Sequence, residues 1–457
     1  MSKEKKERLD GWKEIASYLD RDPRTVMRWE RELGLPIHRI ESKGKSIVYA
    51  LTEEIDAWLS SFSQIAPERR RARLLKTRKR FWLFHLAICS LIVILTVLLI
   101  YPWQKRKPNP ADFDISGSRL IILDDKGRKL WEYDAGRKLI SKKEYKKGEL
   151  NINPSLLITD LEGDGRREVL FIPIYIRENP LLHPLSFPNP NFLICFEASG
   201  KIRFILKPGR EIRYNKYTTS ANYNLGPLLV DDLDGDGKKE IILETHNIPL
   251  FPSQLLVLTA QGKVIGEFVN AGHIQRPIVV KDLDNDGYKD IIICGINNTF
   301  RSNFLAVFDY RSVFGSSPTP ADPEHTSPEL ARGTMKYYIV LPKIDLYPLL
   351  STYPNATFDI TDGEIILKGT IRNDNPDLLP NIASLPTPIF HFDYSLRLTK
   401  VELPRKFITA YRELAKKGYL KPLPPDYEKR LAKRVLWWDG DKWVNHPTKT
   451  KMWREWE

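Results

Sequence analysis

Cysteine is scarce: the 457-residue chain holds three, Cys89, Cys195 and Cys294, too few and too far apart for a disulfide framework or a zinc-binding spacing. Cys195 and Cys294 fall in strand-like segments and read as buried apolar residues. The eight histidines are scattered, and no HExxH, GxSxG or phosphate-binding loop occurs, so an enzyme is not expected. Acid is in deficit, 58 Asp and Glu against 71 Lys and Arg. The resulting +13 suits a nucleic acid or an anionic membrane surface, but a basic topology signal beside a membrane segment gives the same total. What matters is where the charge sits.

Long apolar runs are also rare, with one exception. Phe81 to Tyr101 reads FWLFHLAICSLIVILTVLLIY, interrupted by His85 alone among ionisable groups. A helix needs about 20 apolar residues to cross a hydrocarbon core of about 30 Å, so the run is expected to be a single transmembrane helix. Many charged residues precede it and no small-residue cleavage site follows, which fits an anchor and not a signal peptide. Arg69, Arg70, Arg71, Arg73, Lys76, Arg78, Lys79 and Arg80 lie before it, against Lys105, Arg106 and Lys107 after it. This bias predicts a bacterial-type inner (plasma) membrane location, with the N-terminus cytoplasmic and the C-terminus extracytoplasmic. The boundaries that follow are 1–66, a basic juxtamembrane stretch 67–80, the span 81–101, a linker 102–111, a large β domain 112–402 and a C-terminal piece 403–457.

Within residues 1–66, Trp12, Ile15, Ala16 and Leu19 follow helical spacing, predicting a short helix over Gly11 to Leu19. Asp22 and Pro23 are start signals for a second helix, and Gly34 and Pro36 stop it. Its inner face is expected to carry Val26, Trp29 and Leu33, and its outer face Arg24, Arg28 and Arg31, with Thr25 near the start. Ile37 to Glu41 and Ser46 to Ala50 predict a hairpin whose tip bears Lys43 and Lys45. Thr52 opens a last helix with Ile55, Trp58, Leu59 and Phe62 inward. The segment LDGWKEIASYLDRDPRTVMRWERELGLPIHRI resembles winged helix-turn-helix domains of the MerR and excisionase type. That resemblance implies DNA contact by Thr25, Arg28 and the wing lysines, to which the exposed stripe adds Arg24 and Arg31. Glu30, Glu32 and Asp22 dilute the same helix, so a solvated face of a protein-docking domain stays open.

Three acidic loops recur further on: DLEGDGRRE from Asp160, DLDGDGKKE from Asp232 and DLDNDGYKD from Asp282. Each puts carboxylates at positions 1, 3, 5 and 9 and glycine at position 6, which aims several hard oxygens at one centre and allows the sharp turn before the position 7 carbonyl. Such donors favour Ca2+. The expected ligands are Asp160, Glu162, Asp164 and Glu168; Asp232, Asp234, Asp236 and Glu240; and Asp282, Asp284, Asp286 and Asp290, with the carbonyls of Arg166, Lys238 and Tyr288. Phe171, Leu243 and Ile293 stand where an EF-hand needs an acid, so these loops join strands.

A hairpin recurs with the loops: LIILDDKGRKLWEYDAG from Leu120, FLICFEASGKIRFILKPG from Phe192 and LLVLTAQGKVIGEFVNAG from Leu255. Loops and hairpins together resemble the FG-GAP or VCBS repeats of integrin-α-like β-propellers. The resemblance implies a large all-β propeller of four-stranded blades and up to three Ca2+ ions in structural roles. Long inserts, Pro173 to Asn191, Arg210 to Asn224 with Tyr214, Tyr217 and Tyr223, and Gly315 to Gly333, are candidate binding surfaces. The C-terminal piece is expected to add helices over Arg405 to Lys417 and Asp426 to Arg434 and a Trp-rich hairpin packed on the propeller.

Read together, a small α+β winged helix, one membrane helix and a β-propeller with an α/β extension make up a membrane-tethered one-component transcriptional regulator. Its cytoplasmic end would bind DNA while its extracytoplasmic end senses a ligand or partner and associates with a second copy. The alternative is a membrane-anchored binding or adhesion protein whose N-terminal domain docks protein.

Overall fold

The computed structural model describes residues 7–42, 45–63, 108–150, 155–176, 192–247, 251–320, 324–351 and 354–456. The chain divides into two compact units, Met1–Leu99 and Ile100–Glu457.

In the first unit, helix α1 (Gly11–Tyr18) and helix α2 (Pro23–Leu33) precede a hairpin, His38–Ser42 with Lys45–Leu51, and helix α3 (Thr52–Ser63). A short strand, Arg8–Asp10, pairs with the far side of Lys45–Leu51 and makes a three-stranded sheet that the sequence does not announce. Asp22 caps α2 by accepting the Thr25 N–H at 3.0 Å, and Gly34 ends it in the left-handed conformation at φ 67°. Ile15, Ala16, Val26, Leu35, Ala50 and Ile55 form the core. Two expected core residues are exposed, Leu33 at 46% and Leu59 at 42%; Trp29 and Trp58, ring centroids 6.0 Å apart, pack beside the core instead.

Two expectations are corrected. The run Phe81 to Tyr101 and the basic stretch before it lie outside the described residues, and among those described no helix is long and apolar enough to cross a membrane. The single-pass inner-membrane location is therefore withdrawn: hydropathy argues for a span only where a helix of that length carries it. The winged helix-turn-helix assignment is withdrawn as well. The chain is mostly β with few helices, and the outer face of α2 is not a clean basic stripe, because Glu32 lies 3.9 Å from Arg28 and 3.6 Å from Arg31 while Glu30 pairs with Arg39 at 2.6 Å.

The second unit is a stack of antiparallel sheets. The first holds Asp112–Ser116, Arg119–Leu123 and Lys129–Asp134; the second, Leu156–Thr159, Glu168–Phe171, Leu193–Phe196 and Ile202–Leu206. The third holds Tyr223–Asp231, Glu240–Asn247, Ser253–Leu258 and Val264–Asn270, with Phe314–Ser316 added in parallel at its edge. The fourth holds Ile274–Lys281, Asp290–Asn297, Ser302–Asp309 and Tyr337–Val340, and the fifth Asn355–Thr361, Glu364–Arg372, Ile389–Asp393 and Leu398–Glu402, with Ser384–Pro386 paired to its second strand.

Alternation along each strand decides which neighbouring sheet a side chain meets. Ile241 and Leu243 pack with Leu170, Leu193 and Cys195 of the second sheet, whereas Ile242, between them, packs with Ile291, Ile293 and Phe304 of the fourth. The other faces of those fourth-sheet strands, Ile292, Cys294 and Leu305, meet Phe358, Ile365 and Phe390 of the fifth. Central strands covered on both faces are buried along their whole length, as Asp290–Asn297 and Ser302–Asp309 are, with apolar middles and polar groups only towards their ends. Cys195 and Cys294 are free and buried, as expected, and burial pushes the Cys195 thiol up to about 12.

The C-terminal hairpin does more than lie on the side of the domain. Leu436–Trp438 pairs with Tyr337–Val340, Trp437 opposite Ile339, so Leu436–Trp438 and Trp443–Val444 extend the fourth sheet. Helix α4 (Lys142–Leu150), a single turn α5 (Tyr347–Leu350), α6 (Arg405–Lys416), α7 (Tyr427–Ala432) and α8 (Lys451–Trp456) are the described α-helices of this unit. Trp453 of α8 is buried and donates its indole N–H to the Thr334 carbonyl at 2.7 Å.

Candidate metal centre

Each acidic loop joins the first two strands of a sheet: the second, third and fourth. The three share one internal geometry. Asp160 accepts from the N–H groups of Gly163 and Gly165 at 2.8 and 2.7 Å, Asp232 from Gly235 and Gly237 at 2.8 and 3.0 Å, and Asp282 from Asp286 and Gly287 at 3.3 and 3.0 Å. Asp164, Asp236 and Asp286 accept from the N–H of Arg166, Lys238 and Tyr288 at 2.7, 2.7 and 2.9 Å. Glu168, Glu240 and Asp290 reach back to the N–H of Leu161, Leu233 and Leu283. The position 6 glycines sit at φ 83°, 87° and 87°, where a side chain would be strained. Neighbouring loops are also tied together, since Lys239 N–H donates to the Leu161 carbonyl at 2.8 Å and Lys289 N–H to the Leu233 carbonyl at 3.0 Å.

What differs is the charge that answers the carboxylates. At the first loop, Arg203 from the last strand of the second sheet places Nη2 3.0 Å from both Glu162 and Glu168. At the third, Lys336 is 3% exposed and lies 2.8 Å from Asp290, 3.0 Å from Asp284 and 3.6 Å from Asp309, while Arg311 reaches Asp286 at 3.1 Å. Burial opposes the charge on Lys336, but Asp290 and Asp284 outweigh it and hold the ammonium protonated. At the second loop, one oxygen of each of Asp232, Asp234 and Glu240 lies within 4.8 Å of the others, and no Lys or Arg side chain among the described residues pairs with them. The Tyr310 hydroxyl donates to Asp234 at 2.9 Å. Burial, with the charges of Asp234 and Asp236, pushes the Glu240 carboxyl above its usual value. Asp282, Asp284 and Asp286 also converge, beside the Lys336 ammonium.

The residues expected to meet DNA do not assemble a comparable site. Arg24, Arg28 and Arg31 are exposed on α2, Thr25 is occupied with the Asp22 cap through its N–H and hydroxyl, Lys45 opens a strand and Lys43 lies outside the described residues.

Two features escaped the sequence. The inserts 210–224 and 315–333 pack on each other: Lys216 pairs with Glu324 at 3.1 Å, and Ser327 donates to the Arg213 carbonyl at 2.7 Å. They border a cavity of about 250 Å3 lined by Tyr214, His325, Arg332 and Trp438. The first insert, Pro173 to Asn191, lies largely outside the described residues. Second, Glu244 and His246 of the third sheet meet His273, just ahead of the fourth. His246 Nδ1 lies 3.2 Å and His273 Nδ1 4.0 Å from one Glu244 oxygen. Burial works against a charged His246, but Glu244 outweighs it and raises its pKa, whereas burial pushes His273 down to about 4. The signal in the sequence was the alternation Glu244-Thr245-His246, which puts both polar groups on one face of an otherwise apolar strand.

No family model matches the chain, and no curated protein matches it. The MerR/excisionase and FG-GAP/VCBS resemblances thus have no family match behind them. Among solved structures, a crystal structure of rhamnogalacturonan lyase YesW is similar at 12% identity and a TM-score of 0.25, over 54% of this chain and 60% of that one.

Proposed function

We propose that residues 112–402 are a cation-stapled β-repeat domain of the propeller type, built to bind a ligand or partner protein and not to catalyse. The observation that carries this reading is the second loop, where Asp232, Asp234 and Glu240 converge without a basic partner among the described residues. Backbone N–H groups already fix both oxygens of Asp232, to Gly235 and Gly237, and one of Glu240 to Leu233, so the loop loses little freedom when an ion binds. Hard oxygens in this arrangement suit Ca2+, with the Lys238 carbonyl as a further donor. The ion acts as a structural staple between the first two strands of the third sheet, and the cavity between the inserts is the place for the ligand.

Thermal unfolding of the full chain tests this. With Ca2+ present the melting temperature is expected to rise over that in chelator; an ion 100-fold above its Kd stabilises by about 2.7 kcal/mol. Asp234→Ala is expected to abolish the difference. Equal melting temperatures with and without Ca2+ would remove the proposal.

A further inference from the structure

The trio Glu244, His246 and His273 lies apart from the acidic loops and has a different donor chemistry. We propose that it is a second, independent metal site, selective for a divalent transition ion of the Zn2+ class, with its open coordination positions facing a cavity where the third, fourth and fifth sheets meet.

Three observations support it. The ligand atoms are already gathered: one atom from each residue lies within 4.8 Å of the others, and the two Nδ1 contacts to Glu244 Oε1, 3.2 and 4.0 Å, bracket the roughly 3.3 Å that separates ligands around a tetrahedral ion with bonds of about 2.0 Å. One of those atoms lacks what a buried polar atom needs, since His273 Nδ1 is shielded from solvent and makes no hydrogen bond. The carboxylate is also housed deliberately. Glu244 is 1% exposed and its Oε2 occupies the space a side chain on residue 226 would take: a Cβ on Gly226 would come within 1.7 Å of it. Gly226 sits where the register of the first strand shifts, between Leu225 and Leu228, so the backbone bends away to leave the carboxylate its slot.

Two imidazoles and one carboxylate are borderline donors, unlike the all-oxygen set of the loops, so the two sites divide between Zn2+ and Ca2+. The adjoining cavity, about 340 Å3, is lined by Gln275, Arg276 and Asn355. Polar and guanidinium groups beside an open metal position suit an anionic ligand oxygen, a carboxylate foremost. The competing arrangement is a buried Glu244–His246 ion pair that binds no metal.

The test uses the full chain, stripped with chelator and then titrated with Zn2+ in excess Ca2+ against a chromophoric competitor. One equivalent is expected to bind. Removal of an outer-shell partner alone costs about 10–100-fold in affinity, so His246→Ala and His273→Ala are each expected to lose at least about 100-fold. Asp234→Ala, which probes the calcium loop, is expected to leave Zn2+ affinity unchanged, so the two proposals fail separately. Because a histidine variant can misfold, X-ray absorption of the wild-type zinc complex gives a second reading, expected to show two imidazoles in the first shell. No zinc binding, binding indifferent to both histidines in folded variants, or a shell without imidazole would each overturn the proposal.

Discussion

The second and third acidic loops have nearly the same sequence and share most of their backbone bonds, yet they treat charge in opposite ways. The third carries its own cations: Lys336, brought from a distant segment, sits between Asp284 and Asp290, and Arg311 answers Asp286 and Asp309. The second leaves Asp232, Asp234 and Glu240 without one among the described residues and so depends on solution for its counter-charge. The first resembles the third, with Arg203 between Glu162 and Glu168. One loop design thus either carries its counter-charge on the same chain or, in the proposed reading, takes it up as a free ion, and a residue outside the loop chooses between them.

That comparison can be broken most forcefully at Lys336. Lys336→Met leaves Asp284 and Asp290 without their cation while Arg311 stays on Asp309, and loss of one partner of a buried pair costs about 3–5 kcal/mol. Urea unfolding should show that loss in chelator, and Ca2+ should recover part of it, because the third loop would then resemble the second. Next in size, Asp234→Ala should remove the calcium stabilisation, about 2.7 kcal/mol at 100-fold excess over Kd, while changing the calcium-free protein little. Arg203→Met should cost about 2 kcal/mol, less than Lys336→Met because Glu162 stays partly in water, and should make the first loop calcium-responsive by the same denaturation assay.

The smallest effect is in pH. Glu240 has a raised folded pKa, so between its ordinary value and that raised value the folded state binds more protons than the unfolded one, and calcium-free stability falls as pH rises through this window. Asp309 has the opposite sign: burial would raise it, but Arg311 holds it below its ordinary value, so its contribution is present at neutral pH and is lost on acidification below the ordinary Asp range. Glu240→Gln should flatten the first slope and leave the second, as read from melting temperature against pH in chelator.

Much of this β domain could be read from the chain. The positions of Asp160, Asp232 and Asp282, the glycines at turns and the apolar runs EVLF, EIIL and DIII locate strand, loop and strand, because turn chemistry and strand burial are local. The answering charges could not. Arg203 and Lys336 are ordinary residues until the fold carries them to the acids, and nothing local marks them. The same holds for His273, which joins Glu244 and His246 only when the third and fourth sheets meet. The N-terminal unit shows the reverse failure. Its element pattern was legible, including the Asp22 cap and the Gly34 stop, but function was assigned from a stripe of arginines whose acidic neighbours, Glu30 and Glu32, answer much of its charge. Leu33 and Leu59 were counted as core because periodicity gives a face but not its width.

The fourth sheet receives its fifth and sixth strands, Leu436–Trp438 and Trp443–Val444, from beyond the fifth sheet. On a ribosome adding about 5–20 residues per second, the edge of Tyr337–Val340 therefore stands open for on the order of ten seconds before its partner emerges. In the last part of that interval, once Glu402 has been made, a finished fifth sheet is stacked on an unfinished fourth, and the exposed edge is a pairing template for any other nascent chain. The order of translation, and not the order of stability, decides when this domain becomes safe from aggregation.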